Sequence, residues 1–398
     1  MNKIVILDPS CVRDSRSHHV NAVTGHARTF HAAGLNVLVC TNASCTIDLP
    51  HAENHPVFTY TIYDDVRSNH TSRTMRLLKR PYYYLLKYKS YNLIESFLNH
   101  QNFGDSDHIF VPTVDWILFQ CLVKLYTSRN NNPALHLLLM YEKANWMTGG
   151  YPYQDIIKII NQLRMAGKNV FIYTETRTHA AHLKDDIGFV PAQYPFPAFP
   201  LTMRHEINVP DNYIYVGALG GGRRDKGYHM LVDIVNRFNK SQSDSGKIRF
   251  LIQRARPEDR LEQQSALLGK IDNVVLLDNQ LTKQEYECNL LKCDIAIFPY
   301  SQVYATRGSG IVNESVANAI PIICSKETSL CEAITCKNGI PAKTVNDFVL
   351  ALKEMIINLD SYKLCAQKAR DDFINNLYDN PVILNIRSSI HKQSVQIK

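Results

Sequence analysis

Glycines and cations crowd one short stretch of this 398-residue chain. Val216-Gly217-Ala218-Leu219-Gly220-Gly221-Gly222-Arg223-Arg224-Asp225-Lys226-Gly227 follows an apolar run and precedes a segment of helical period. Glycines let a loop turn tightly and let backbone N–H groups approach an anion. Arg223, Arg224 and Lys226 put positive charge at the same place, which a diphosphate leaving group needs as its bond breaks. The string lacks Gly-Lys-Ser/Thr, so it is not a P-loop, and by itself it reads equally well as a loop with solvated charges.

A second constellation is Tyr304-Ala305-Thr306-Arg307-Gly308-Ser309-Gly310-Ile311-Val312-Asn313-Glu314-Ser315. Gly308, Ser309 and Gly310 are expected at the N-terminus of a short helix, where unpaired amides attract phosphate. Glu314 lies about one turn further in, placed to accept hydrogen bonds from a ribose; alone it reads as a solvated helix carboxylate. His18 and His19 open the first helix after a polar loop, where a histidine can orient an acceptor or a phosphate, cap the helix or simply be exposed. Glu175, at a strand end, is a weaker candidate.

These residues need a frame, and the apolar pattern supplies one. Ile4–Leu7 reads as a strand, and Val20, Val23, Ala27 and Phe30 then recur at helical spacing up to Gly34. Leu35–Cys40, Phe58–Tyr63, Ile109–Val111, Leu135–Met140 and Val170–Tyr173 continue the strand series. A proline cluster (Pro191, Pro195, Pro197, Pro200, Pro210) suits an irregular connection. The alternation restarts with Tyr213–Val216, a helix near Tyr228 to Phe238, Ile248–Gln253, Val274–Leu277, Ile295–Pro299 and Ile322–Cys324. Strands separated by helices imply parallel βαβ units. The expected fold is α/β: two Rossmann-like doubly wound domains facing a cleft, over residues 1–205 and 206–378, with 379–398 packing back on the first. Ligands in such folds sit at the carboxyl ends of strands.

Composition narrows the class. Apolar residues at 45% and charged residues at 20% describe a globular chain rather than a disordered one. The net charge of +7 favours phosphates or anionic lipid. No zinc finger, aromatic RNP motif or basic helix-turn-helix signature supports a nucleic-acid partner. Cys40, Cys121 and Cys324 sit in or beside apolar runs as small core residues. Cys288 with Cys293, and Cys331 with Cys336, lack the close partners of a zinc site. Apolar runs such as Leu137–Met140 fall far short of the roughly 18 residues of a membrane span. The short apolar run at the N-terminus meets Asp8 and is not a signal peptide, so a cytoplasmic location is expected. Residues 73–91 carry six basic residues, five tyrosines and no acid. That composition suits either peripheral contact with an anionic membrane, on its inner face, or a solvated face with tyrosines packed inward.

Taken together, the two constellations resemble the nucleotide-binding domain of GT-B glycosyltransferases of the family-4 type. The matching runs are Gly217…Lys226-Gly227, then Gly308-Ser309-Gly310-Ile311-Val312-Asn313-Glu314-Ser315, then Ala319-Ile320-Pro321-Ile322-Ile323. Leu281–Tyr286 and Cys293–Tyr300 resemble the stretch between them, and the likeness runs from about Asn212 to Cys324. It is fainter over the first half, where Ile6-Leu7-Asp8-Pro9-Ser10 with His18-His19 looks like a divergent acceptor domain. The resemblance implies that Arg224 and Lys226, helped by Arg223, hold the donor diphosphate, with amides near Ser309, Gly310 and Ile311 on the distal phosphate. It implies ribose binding by Glu314 and a base-facing loop of Asp278, Asn279 and Leu281. His18, His19 and Arg307 are the catalytic candidates. Eight positions before Glu314, where the family keeps a second acid, this chain has Thr306, in a variant Tyr-x-x-Arg-x-Ser-Gly form.

The implied reaction moves a sugar, with retention, from a nucleotide diphosphate sugar to a glycan or lipid-linked acceptor, as in polysaccharide biosynthesis. No metal and no cofactor beyond that co-substrate is expected. The one Asp-x-Asp string, Asp105-Ser106-Asp107, precedes its strand rather than following it and reads as a turn. A GT-B-fold nucleotide-sugar epimerase and a non-catalytic nucleotide-sugar-binding module are the alternatives.

Overall fold

In a computed structural model the protein is described over residues 2–12, 18–61, 73–140, 153–201, 212–241 and 247–396. The chain divides into two compact units, 1–195 with 378–398, and 196–377. The boundary expected at 205/206 and Pro210 lie outside the described residues.

The first unit is built on seven parallel strands: β1 (Lys3–Asp8), β2 (Asn36–Asn42), β3 (Glu53–Phe58), β4 (His108–Val111), β5 (Ala134–Leu139), β6 (Val170–Thr174) and β7 (Ala192–Gln193). Their order is β3-β2-β1-β4-β5-β6-β7. Side chains alternate across a strand, so β1 divides its apolar residues between two cores. Val5 and Leu7 pack with Leu86, Ile94, Leu118, Leu122, Ile156 and Ile160 from helices Arg73–His100, Trp116–Ser128 and Tyr153–Met165. Ile4 and Ile6 face Val20, Val23 and Phe30 of helix His18–Ala32 and Val382, Ile383 and Ile386 of helix Pro381–Gln396. Each such fully buried aliphatic contributes about 1.5–3 kcal/mol. The C-terminal helix is also tied in by a hydrogen bond from Asn385 Nδ2 to the Tyr173 hydroxyl (2.9 Å).

The second unit repeats the plan with β8 (Ile214–Ala218), β9 (Ile248–Gln253), β10 (Val274–Leu277), β11 (Ile295–Phe298), β12 (Ile322–Ser325) and β13 (Gly339–Ala342). The parallel order is β10-β9-β8-β11-β12-β13. In both sheets the first strand lies between its second and its fourth, so the chain reverses direction there. Loops leaving the carboxyl ends of those two strands part to opposite faces and open a crevice. In the second unit they are the loops after β8 and β11, which carry the two sequence constellations.

Three strand assignments change, the first being β7 (Ala192–Gln193), which lies within the stretch read as an irregular connection. The third strand lies over Glu53–Phe58, not Phe58–Tyr63, and Tyr60 instead turns inward to hydrogen-bond Asp115 (3.2 Å). β13 (Gly339–Ala342) has no counterpart in the sequence reading. Asp105–Asp107 is a turn: Asp107 is buried and accepts from the backbone N–H of Lys3 and of Gly104. Cys40, Cys121 and Cys324 are core residues.

Candidate functional site

The loop after β8 is held in shape by contacts that only glycine permits. Gly220 and Gly221 have φ of 93° and 75°, a region that side chains disfavour. At Gly227 (φ 69°) a Cβ would lie 1.8 Å from the Pro299 carbonyl oxygen, so loop and β11 end touch directly. The Ser301 N–H donates to the Asp225 carbonyl across the same gap (2.9 Å). The two loops of the crevice are thus one assembly.

Lys226 sits at its centre, half-buried. Its Nζ donates to the Gly220 carbonyl (2.5 Å) and lies 5.7 Å from the Tyr300 ring centroid. Burial, with the Arg223 cation beside it, pushes its pKa down to about 7. A Cβ on Gly220 would be 3.2 Å from that Nζ and 3.1 Å from Ile311 Cδ1. The ammonium therefore lies where the glycine-rich loop meets the start of helix Gly310–Ala317, and a shallow pocket lined by Leu219, Gly221, Gly222, Lys226 and Tyr300 opens at the loop.

That helix begins with Ser309 as N-cap, and the Ser309 side chain makes no capping hydrogen bond. Ser309 and Gly310 are half-buried and Ile311 is buried. Asn313 and Asn318 fasten the helix to the preceding connection, through the Phe196 carbonyl (3.0 Å) and the Leu201 N–H (2.9 Å).

Glu314 is not the solvated helix carboxylate that its sequence setting suggests. It is half-buried, and Tyr286, from helix Lys283–Lys292, donates its hydroxyl to Oε2. Burial raises the Glu314 pKa from its ordinary value, while Tyr286 and the Lys226 charge oppose that rise. The phenol of Tyr286 is pushed well up, by burial first and then by Glu314.

The three cations differ. Arg223 is engaged inside the protein, with Nη2 donating to the Tyr304 hydroxyl (2.7 Å) and Nε 3.1 Å from Asp225 Oδ1. Arg224 is exposed. Arg307 is half-buried, and its carbonyl accepts from the Ser329 hydroxyl (2.5 Å), which also reaches the Tyr304 carbonyl (3.1 Å). Thr306, at the position where the resemblance implies a second acid, is buried. Asp278 is exposed, with Asn279 and Leu281 half-buried beyond the end of β10.

The loop amides, expected to meet an anion, are already occupied. Those of Gly220 and Gly221 both donate to Gln253 Oε1 (2.8 and 2.7 Å), a residue at the carboxyl end of β9 that belongs to neither motif. Its sequence signal is a polar residue closing the apolar run Phe250-Leu251-Ile252.

The remaining candidates belong to the first unit. His19 is buried, its Nδ1 2.9 Å from Oδ2 of Asp8 at the end of β1, so it is not an exposed cap. Burial pulls the His19 pKa down, but the Asp8 carboxylate outweighs it and the net shift is upward. The side chain of His18 and the polar loop 13–17 lie outside the described residues. Glu175 is buried after β6.

Two parallel sheets that share the order third-second-first-fourth-fifth-sixth strand, each with polar residues at its carboxyl edge, define a pair of Rossmann-like domains. Solved structures agree. The chain matches a UDP-forming α,α-trehalose-phosphate synthase from Burkholderia vietnamiensis with a TM-score of 0.70, at 12% identity over 99% of each chain. It matches the sucrose-phosphate synthase of Thermosynechococcus elongatus at a TM-score of 0.67 and 12% identity over 100% of each chain. HepE of Anabaena, solved with UDP and glucose, gives 0.61 at 13% identity over 99% of this chain and 100% of that one. No family model and no curated protein matches the sequence. At these identities the likeness is one of fold, and function must come from the site.

Proposed function

We propose that this protein is a metal-independent glycosyltransferase that takes its sugar from a nucleotide diphosphate sugar. The observation that carries the reading is the half-buried Lys226 ammonium at the β8/β11 crevice, beside the start of the helix that carries Glu314. Lys226, with Arg224 reaching from the rim and Arg223 behind, holds the diphosphate. Amides at Ser309, Gly310 and Ile311 take the distal phosphate. Glu314 binds the ribose, and Asp278, Asn279 and Leu281 face the base. In the transfer the bond from the sugar's anomeric carbon to the diphosphate breaks, a bond to the acceptor oxygen forms, and the acceptor's hydroxyl proton passes to the departing diphosphate. The nucleoside diphosphate leaves on Lys226, whose low pKa lets the arriving charge draw a proton onto it. His18, His19 and Arg307 are the catalytic candidates, retention is the expected outcome, and the acceptor is a glycan or lipid-linked sugar. Solved relatives in fold support the donor class, since one holds UDP and glucose and another is described as UDP-forming.

The test is release of nucleoside diphosphate from a panel of donor sugars, with and without EDTA. Release that is unchanged by EDTA is expected. Loss with EDTA and recovery with magnesium or manganese would overturn the metal-independent assignment.

Peripheral membrane contact belongs to the same reading. Of the tyrosines in residues 73–91, Tyr82, Tyr84 and Tyr88 are exposed, with Leu85 beside them, while Tyr91 is buried. Lys87 lies 4.7 Å from the Tyr84 ring centroid. Side chains of 73–80 lie outside the described residues. Among the described residues no helix is long and apolar enough to cross a membrane. An exposed aromatic face with lysines fits an anionic interface. Replacing Tyr84 and Tyr88 by serine is expected to reduce binding to anionic liposomes and leave donor hydrolysis unchanged. Equal liposome binding by both proteins would return the face to a solvated role.

A further inference from the structure

Gln253 is buried where the glycine-rich loop and the base-facing segment come together. Two backbone N–H groups, from Gly220 and Gly221, point at one atom of its carboxamide. That atom must be the oxygen, because the nitrogen has no acceptor capacity, and the assignment leaves Nε2 facing the other way. Nε2 then donates to the Asn279 carbonyl (3.2 Å). The positive φ of Gly220 and Gly221 is what turns both amides onto one acceptor, as in an anion-binding nest filled by a side chain. A second link secures the same segment further along, where Tyr286 reaches Glu314. The segment from Asn279 to Tyr286 is therefore anchored at both ends to groups that flank the phosphate position.

We infer that Gln253 is a positioning residue that couples the glycine-rich loop to the base-facing segment and so sets discrimination between nucleobases; this rests on the nucleotide-sugar reading. A base that seats correctly against residues 278–281 leaves the carboxamide undisturbed, and the loop keeps Lys226 aimed at the diphosphate. A base that displaces Asn279 pulls on Gln253, and the loop amides lose their acceptor. Among side chains of this length in their ordinary ionisation states, the carboxamide both accepts from two amides and donates to a carbonyl.

Calorimetric titration with the four nucleoside diphosphates UDP, GDP, ADP and CDP tests the inference in wild type, Gln253→Met and Gln253→Glu. Methionine keeps the length and loses both functions. Glutamate keeps an acceptor for the two amides and loses the donor, so it holds the loop should the methionine variant fail to fold. The expected result is that the preferred nucleotide weakens by about tenfold, a cost in line with one or two lost hydrogen bonds. The others weaken less, so the selectivity ratio falls. In turnover the donor KM rises and kcat falls as well, though by less than in Lys226→Met, because the ammonium is kept but no longer held in place. Equal weakening of every nucleotide would reduce Gln253 to a shaper of the loop and overturn the inference while leaving the proposed function intact. Unchanged affinities would overturn it as well. A wild type that binds no nucleoside diphosphate would remove the function reading and, with it, this one.

Discussion

Lys226→Met is expected to lower kcat/KM for the donor by about 10²–10³-fold, the loss seen when one preorganised group that stabilises developing charge is removed. The ammonium is half-buried beside Arg223, so its field at the crevice is weakly screened, whereas Arg224 is exposed at the rim. Arg223 is committed to Tyr304 and Asp225. The same substitution should stabilise the free protein. The pKa of Lys226 is depressed from 10.5 to about 7, so folding disfavours its charged form. That penalty is fully present below pH 7, shrinks as pH rises from 7, and is gone above 10.5. Thermal melts should therefore show the variant above wild type at pH 6, with the gap closing towards alkaline pH. Gained stability with lost activity is the mark of a charge kept for function. An unchanged kcat/KM, or a variant that melts earlier at pH 6, would contradict the role given to Lys226.

Glu314→Ala should weaken nucleoside diphosphate binding about tenfold or more, because hydrogen bonds to a charged group are worth about 1.5–3 kcal/mol each. Wild type should prefer the ribonucleotide to its 2′,3′-dideoxy analogue, and the variant should not. The contact with Tyr286 adds a second effect that the surface position suggested by sequence would not have produced. Removing the carboxylate leaves the Tyr286 hydroxyl without its acceptor, a loss of about 1–3 kcal/mol of stability. The double variant Glu314→Ala/Tyr286→Phe separates the two: stability should largely return and ribose preference should not. Glu314→Gln keeps an acceptor for Tyr286 and should fall between. If the double variant recovers ribose preference, Glu314 is a partner for Tyr286 and nothing more.

Much of this was legible in the sequence, and the failures have physical causes. Interior strands such as β1 and β11 are covered on both faces, so they appear as unbroken apolar runs. β3 and β13 are at or next to a sheet edge, where Pro56 and Pro341 are tolerated and the apolar signal is diluted. The aromatic run Phe58–Tyr63 then outweighed the true strand before it. Within the site, Lys226 and Glu314 were legible because each lies inside a local motif whose spacing fixes its place. Gln253 and Tyr286 act through partners 33 and 28 residues away, and nothing in their immediate neighbours marks them. The fold brings these residues together, and only the fold reveals that the loop amides of Gly220 and Gly221 are already taken.

The central claim is that the β8/β11 crevice binds a nucleoside diphosphate through Lys226 without a metal. Titration calorimetry of wild type and Lys226→Met with UDP, GDP, ADP and CMP, in EDTA, tests it most directly. The expected result is one nucleoside diphosphate bound clearly more tightly than the rest by wild type, with that binding lost or greatly weakened in Lys226→Met. No binding of any nucleotide by wild type, or equal binding by the two proteins, would contradict it.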